Sequence, residues 1–246
     1  MRIAHISDTH ISPYGGFVEK EFDTMIDQIN LLKPDLVIHS GDITHEGLLE
    51  DYKFAKEKLS QLEPDLIILP GNHDAKNLGH TIYPNFFGSK NVIKKVEDIG
   101  ICALDTSVPD IDEGRLGRTG QKYMKQLIED FFGLVKIISI HHHLIPVPEA
   151  GRTRNMIDDA GDVLKLVTEE DVDLILMGHR HVPYITKVEN TIMTNAGTFS
   201  ARKTRGYHGH SFNLIHLDNK VVKIEVIKLL EKKIKIEYSK GYKITH

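Results

Sequence analysis

Histidine is the residue this chain uses out of proportion, with 15 in 246 residues, and it is also the commonest metal ligand among side chains. Several of these histidines fall in short polar motifs that follow apolar runs. The motifs are Asp8-Thr9-His10, Gly41-Asp42, Gly71-Asn72-His73-Asp74, His141-His142-His143 and Gly178-His179-Arg180-His181. Imidazole, carboxylate and carboxamide donors without thiolates suit Mn, Fe or Zn ions held for reactivity, and argue against a structural zinc site. Asp8 and His10 are two apart, a spacing that lets both face one cation from the end of a strand, and His179 and His181 repeat it. Asp42 can bridge two cations through its carboxylate oxygens, and Asn72 offers a neutral amide oxygen. Two divalent cations about 3.5–4 Å apart would clamp the attacking and leaving oxygens of a phosphoryl displacement. They would also lower the pKa of a bound water, so that hydroxide is available near neutral pH. His73, next to a ligand but outside the ligand set, is suited to donate to a phosphoryl oxygen or to protonate the departing alkoxide.

These motifs need strands to present them. Residues 33–42 read KPDLVIHSGD and residues 63–72 read EPDLIILPGN, while 171–180, DVDLILMGHR, is a shorter third version. Continuous apolar runs of strand length, bounded by turn residues, suit strands buried on both faces. The glycine lets the chain turn sharply as it leaves the strand. The next polar side chain then stands at the carboxyl end, where open α/β sheets place their sites. Helical spacing of apolar residues runs over Phe22–Leu32, Leu48–Leu62, Tyr123–Phe131 and Ala160–Val167. The first half thus reads β-α-β-α-β. After His181 the pattern changes to strands: YITKVEN, TIMTNAG, SFNLIHLD, VVKIEVIK and KIKIEYS, with Asp218-Asn219 placed for a tight turn. A single domain over residues 1–246 is expected. Three stretches without periodicity, 75–91, 107–119 and 144–159, read as loops around the site. In the last of them Arg152 and Arg154 could grip an anionic group, and this stretch is expected to set substrate choice.

The bulk numbers exclude several classes. An apolar content of 40% and a charged content of 27% are ordinary for a globular protein. A net charge of −4 argues against nucleic acid or an acidic membrane as partner. No apolar run approaches the ~20 residues that span a bilayer. A lone cysteine, Cys102, rules out an internal disulfide framework and fits a reducing compartment, so a cytoplasmic protein is expected. A homo-oligomer is compatible with all of this.

The five blocks, in this order, resemble the calcineurin-like metallophosphoesterase superfamily, whose pattern is D-x-H, G-D, G-N-H-[DE], H and G-H-x-H. The resemblance spans Asp8 to His181. It implies an α/β fold in the form of a four-layer α/β/β/α sandwich. It implies two divalent ions, one taking Asp8, His10, Asp42 and His181 and the other taking Asp42, Asn72, His142 and His179, with His141 as the alternative to His142. His73 would be the catalytic histidine, and Asn72 and His73 would contact substrate. Within the superfamily, His141-His142-His143-Leu144-Ile145-Pro146-Val147-Pro148 is similar to the class III cyclic nucleotide phosphodiesterases. Leu144 stands where their run usually has a proline. Many superfamily phosphatases also carry an aspartate three residues after the Gly-Asp carboxylate to orient the histidine; here that position is His45.

The resemblance therefore implies a binuclear phosphodiesterase acting on small phosphodiesters, cyclic nucleotides or glycerophosphodiesters. A nuclease or phosphomonoesterase of the same superfamily is the alternative, and a non-catalytic scaffold is disfavoured because no ligand is missing. Other features read as structural. His5 and His39 lie within strands as hydrogen-bonded groups near the site. His208 and His210 belong to a glycine-rich loop, Phe86-Phe87 to packing, and the lysines from Lys232 to Lys243 to a solvated strand face.

Overall fold

The computed structural model describes residues 1–151, 156–218, 221–230, 233–238 and 242–243. The chain begins β1 (Arg2–Ile6), α1 (Glu19–Leu32), β2 (Leu36–His39), α2 (Leu49–Leu59) and β3 (Leu66–Ile68). The three strands pair in parallel, as the β-α-β-α-β reading requires. Then come α3 (Gly79–Phe87), β4 (Val92–Val96), β5 (Ile99–Ala103), α4 (Gly117–Glu129), β6 (Val135–Ser139), α5 (Ala160–Glu169) and β7 (Leu174–Met177). The remainder is strand: β8 (Tyr184–Val188), β9 (Thr191–Asn195), β10 (Ser211–Asp218), β11 (Val221–Leu230), β12 (Lys233–Tyr238) and β13 (Tyr242–Lys243).

These strands form two mixed sheets. One has the order β12-β11-β10-β1-β2-β3, with β13 also on β11; the other has the order β4-β5-β6-β7-β9-β8. The near-repeats at residues 33–42 and 63–72 are neighbours in the first sheet, whereas the third version is β7, in the second. β10 returns to lie antiparallel on β1, so late residues complete the sheet that early residues began. Asp218 pairs with Val221 across the β10–β11 hairpin; Asn219, the other residue of the expected turn, lies outside the described residues, as do Lys232 and Lys240.

Three apolar layers separate four structural ones. Between the sheets, Ile3, Ile38 and Ile67 meet Ile101, Ile137 and Leu174, all buried. On the outer face of the first sheet, Phe22, Ile26 and Ile29 of α1, Tyr52 of α2 and Tyr83 of α3 cover Ala4, Ile6 and Val37. On the outer face of the second, Met124 and Ile128 of α4 and Val163 and Val167 of α5 cover Cys102, Ile138 and Ile175. The fold is the four-layer α/β/β/α sandwich. No helix among the described residues is long and apolar enough to cross a membrane.

One stretch read as irregular contains a helix. Within 75–91, α3 carries Pro84 in its interior and begins at Gly79, both poor helix residues. Aromatic packing forms it instead: Tyr83 donates to the Ile68 carbonyl at 3.0 Å, and Phe86 stacks on Tyr52 at 5.5 Å. Phe86-Phe87 is thus a packing element. Of the stretch 107–119, the end belongs to α4, which starts at Gly117.

Ile101, the middle residue of β5, is fully buried between the sheets. Ile101→Ala should cost about 2–5 kcal/mol of unfolding free energy, read as a lower urea midpoint at unchanged m-value; a midpoint equal to wild type would refute an inter-sheet core at this position.

Candidate metal centre

The five motifs emerge at the carboxyl ends of β1, β2, β3, β6 and β7, where the two sheets' parallel strands lie side by side. Their backbones are unusual. Asp8, His10, Asp42, His179 and His181 all adopt left-handed conformations, with φ of 55°, 49°, 55°, 71° and 56°. Such a conformation costs a non-glycine residue about 1–2 kcal/mol and persists where surrounding bonds over-determine it. Here they do. The Asp8 N–H donates to the Gly41 carbonyl at 2.9 Å and the His10 N–H to the Asp42 carbonyl at 3.0 Å. The His179 N–H donates to Asp8 Oδ2 at 3.0 Å, and Thr198 Oγ1 to the Asp8 carbonyl at 2.8 Å. The glycines have a second reason to be there. Gly41 has a φ of 101°, as a sharp turn needs, but Gly71 and Gly178 are required by close approach. A Cβ on Gly71 would strike Asp42 Oδ1, and one on Gly178 would strike Ser7 Oγ.

This packing gathers two groups of donors. In the first, Asp8 Oδ1 lies 3.2 Å from His181 Nε2, which lies 3.2 Å from His10 Nε2. In the second, Asn72 Oδ1 lies 3.2 Å from His141 Nε2 and 3.0 Å from His179 Nδ1. Asp42 stands between them, with Oδ2 3.6 Å from His10 Nε2 and Oδ1 3.3 Å from His141 Nε2. Two of the imidazoles are fixed in the way metal-binding histidines are, by donating the far N–H to a backbone carbonyl. His141 Nδ1 donates to Ser40 O at 2.7 Å and His181 Nδ1 to Lys203 O at 2.6 Å. Asn72 is oriented too: its Nδ2 donates to Asp112 Oδ1 at 3.2 Å, which turns its oxygen toward the histidines.

The electrostatics keep the carboxylates ionised. Burial opposes charge on Asp8, yet His181 beside it outweighs this and pulls its pKa to about 2. Asp42 is likewise held well below the carboxylate range, against burial, by His141 and His73. Burial and Asp42 have opposite effects on His141; the carboxylate wins and lifts its pKa to about 9. For His10 and His179 burial dominates and holds the ring neutral, the form that can coordinate.

The structure separates the two candidate histidines of the triple run. His141, the alternative, faces Asp42 and Asn72. His142 keeps its ring 4.9 Å from that of His179 but engages both nitrogens elsewhere: its Nδ1 meets Thr106 Oγ1 at 2.8 Å and its Nε2 the Asp112 carbonyl at 3.1 Å. The nitrogen that reaches Asn72 Oδ1 is that of His141, not of His142 as expected. Successive side chains leaving a strand diverge, and the first of the run is the one aimed across at β2 and β3. His143 stacks on His179 at 5.7 Å. The other expected residues, Asp8, His10, Asp42, Asn72, His73, His179 and His181, are brought together. His5 and His39 sit beneath them, bonded to Ser40 Oγ at 2.9 Å and Thr9 Oγ1 at 3.0 Å.

His73 stands beside both groups. Its N–H donates to Asp42 Oδ1 at 2.8 Å, its Nδ1 contacts the His45 carbonyl at 2.6 Å, and its ring meets His10 edge-on at 4.4 Å. Residues that sequence reasoning passed over do the bracing. Asp74 accepts from the N–H groups of Ile43 at 3.0 Å, Thr44 at 2.8 Å and Gly71 at 2.8 Å, tying the Asp42 loop to the Asn72 loop. Asn195 donates to the Gly178 carbonyl at 2.8 Å. Both are polar residues buried at strand ends; Asp74 was visible as the last letter of its motif, whereas Asn195 had no signal beyond its strand. A cleft of about 260 Å³ opens over His10, Asp42, Asn72, His73, His179 and His181. Arg152 and Arg154 lie outside the described residues.

The residues fit divalent transition-metal ions. Asp8 Oδ1 is buried with no well-aligned donor, the His181 ring nitrogen lying beside it at 3.2 Å, and donors converge in three sets whose atoms lie within 4.8 Å of one another: Asp8, His10 and His181; Asp42, His141 and His179; and His10, His45 and His73. The profile of the calcineurin-like phosphoesterases matches residues 1–183. The chain belongs to this family. Among its relatives, the probable glycerophosphodiester phosphodiesterase GpdQ of Arcobacter nitrofigilis is 34% identical over 155 residues, 58% of this chain and 57% of that protein, so the chain aligns with little more than half of it. A probable cyclic nucleotide phosphodiesterase of Xenorhabdus bovienii is 27% identical over 75% of this chain and 80% of its own length. Purple acid phosphatase PPD1 from yellow lupin (Lupinus luteus) superposes with a TM-score of 0.75 at 15% identity, over 96% of this chain and 52% of that one. Vps29 of Chaetomium thermophilum gives 0.57 at 14% identity over 100% and 98%. At such identities the two structures speak for the phosphoesterase fold alone.

His141→Ala should lower the metal content of protein reconstituted with Mn²⁺, measured by elemental analysis, whereas His142→Ala should retain it. The reverse pattern would return the ligand role to His142.

Proposed function

We propose that the chain is a binuclear metal-dependent phosphodiesterase that hydrolyses small phosphodiesters, cyclic nucleotides or glycerophosphodiester-like compounds. The observation that carries this reading is the placement of Asp42, whose two carboxylate oxygens each face one donor group. In this reading Asp8, His10, Asp42 and His181 hold one divalent ion, and Asp42, Asn72, His141 and His179 hold the other. Bound there, two such ions would polarise a phosphoryl oxygen and supply a nucleophilic water near neutral pH. The names of the two phosphodiesterase relatives support the substrate class, and the cleft of about 260 Å³ suits a small ester.

The protein's own part is orientation and proton handling. His73 donates its Nδ1–H to the His45 carbonyl, which fixes the ring and leaves Nε2 for a substrate oxygen. When protonated, Nε2 can pass a proton to the departing alkoxide. The position that is aspartate in many superfamily phosphatases thus orients the histidine here through its main chain, so the identity of His45 is freed from that task. Asp74 and Asp112 hold the loops and the Asn72 amide in register, which keeps the reacting atoms aligned.

Reconstitution should give about two ions per chain, and Asp42→Ala should lose more metal than any other single ligand change. A stoichiometry that stays at one in the wild type would sink the binuclear reading. His73→Asn should reduce kcat by roughly 10²–10⁴-fold at unchanged metal content, with a smaller loss for 4-nitrophenyl than for alkyl leaving groups. Equal losses across leaving groups would leave His73 only a charge-stabilising role.

A further inference from the structure

The cleft has two unlike walls. Near the second donor group stands Asp112, whose carboxylate accepts from Asn72. On the side of the first group stand three cations, Arg180, Lys203 and Arg205. They are close to the centre: Arg180 separates His179 from His181 in the chain, and the Lys203 carbonyl takes the His181 Nδ1 proton at 2.6 Å. Arg180 Nη2 and Arg205 Nη1 both donate to one acceptor, the Ala150 carbonyl, at 2.7 Å and 3.0 Å. Two guanidinium charges are thereby held on a single oxygen, although like charges at that separation repel. Arg180 is 5% exposed. Arg205 Nε is buried with no hydrogen-bond partner. Among the described residues, neither Lys203 nor Arg205 has a carboxylate within 4.0 Å. In a chain of net charge −4, this places three cationic residues together in the lining of the cleft over the donors.

We propose that this wall is a subsite for a second anionic group, a phosphate or a carboxylate, carried on one ester arm of the substrate. It rests on the phosphodiesterase reading for the position of the scissile phosphate and adds the chemistry of the arm. Guanidinium and ammonium donors bind such oxyanions through charge-assisted hydrogen bonds. Asp112, beside Asn72 in the same lining, repels the same charge, so the lining as a whole sets which arm lies where. This assigns specificity to Arg180, Lys203 and Arg205.

The test separates binding from turnover. Zinc-reconstituted protein is titrated by NMR with diethyl phosphate, ethyl 2-carboxyethyl phosphate and ethyl 2-phosphoethyl phosphate, which share an ethyl arm and differ in the charge of the other. At least one charged arm should bind about tenfold or more tightly than diethyl phosphate, and the stronger of the two identifies the anion. Arg205→Gln should bring the three affinities together with metal content unchanged. Lys203→Gln, at an exposed side chain, should narrow the gap and serves if the arginine variant does not fold. Equal affinities in the wild type, or a preference that survives both substitutions, would overturn the proposal. Hydrolysis of bis-4-nitrophenyl phosphate, followed in parallel, tests the catalytic reading by itself: its absence would remove that reading while the affinity ratios still decide the subsite.

Discussion

The structure turns on how closely two sheets can bring their strand ends together. Donors from five separate loops converge in sets whose atoms lie within 4.8 Å of one another, and each loop must give up side-chain bulk or backbone comfort to get there. Gly71 and Gly178 are bare because Asp42 and Ser7 occupy the volume a methyl group would need. Asp8, His10, Asp42, His179 and His181 take a backbone conformation that side chains disfavour, and hydrogen bonds between loops hold them in it. The inter-sheet layer of Ile3, Ile38, Ile101 and Leu174 is the platform that makes this crowding sustainable, because close-packed interiors do not yield to accommodate strain above them.

The electrostatic cost is of the same kind. Two carboxylates and several imidazoles are removed from water, which is expensive for charged and polar groups. The ion pairs of Asp42 with His141 and of Asp8 with His181 offset part of that cost, and Asp74 stitches the loops beneath with three backbone N–H groups. Such an assembly is a poor way to gain stability and a good way to hold donors in place. It is where a protein selected for stability alone would differ most from this one.

Much of this was legible in the sequence, for particular reasons. Metal donors come from a short list of residue types, so Asp8, His10, Asp42, Asn72, His179 and His181 could be singled out by type, spacing and position after apolar runs. The four-layer arrangement followed from the resemblance those motifs carry. What could not be read depends on register or on atoms every residue has. Whether His141 or His142 faces Asn72 is a matter of one step in the pleat. The carbonyl that steadies His73 belongs to His45, but any residue there would supply one. α3 was hidden because Gly79 and Pro84 oppose the helix that Tyr83, Phe86 and Tyr52 impose by packing. The third apolar near-repeat looks like its fellows, and nothing local says that it enters the other sheet. Of the basic residues, Arg180 was in view inside a metal motif, but Lys203 lies 22 residues beyond His181 and, with Arg205, returns to it through a loop.

The span of the chain over which the donors are collected has a bearing on how the molecule comes into being. His10 meets His181 across 171 residues, and His179 meets Asn72 across 107. Contacts of such separation form late, since loop-closure entropy must be met before they contribute. During synthesis the amino-terminal strands emerge first with Asp8, Asp42 and Asn72 but without the histidines opposite them. β1 also waits for β10 to cover its free edge. The donor set is therefore complete only when the last third of the polypeptide has folded back onto the first.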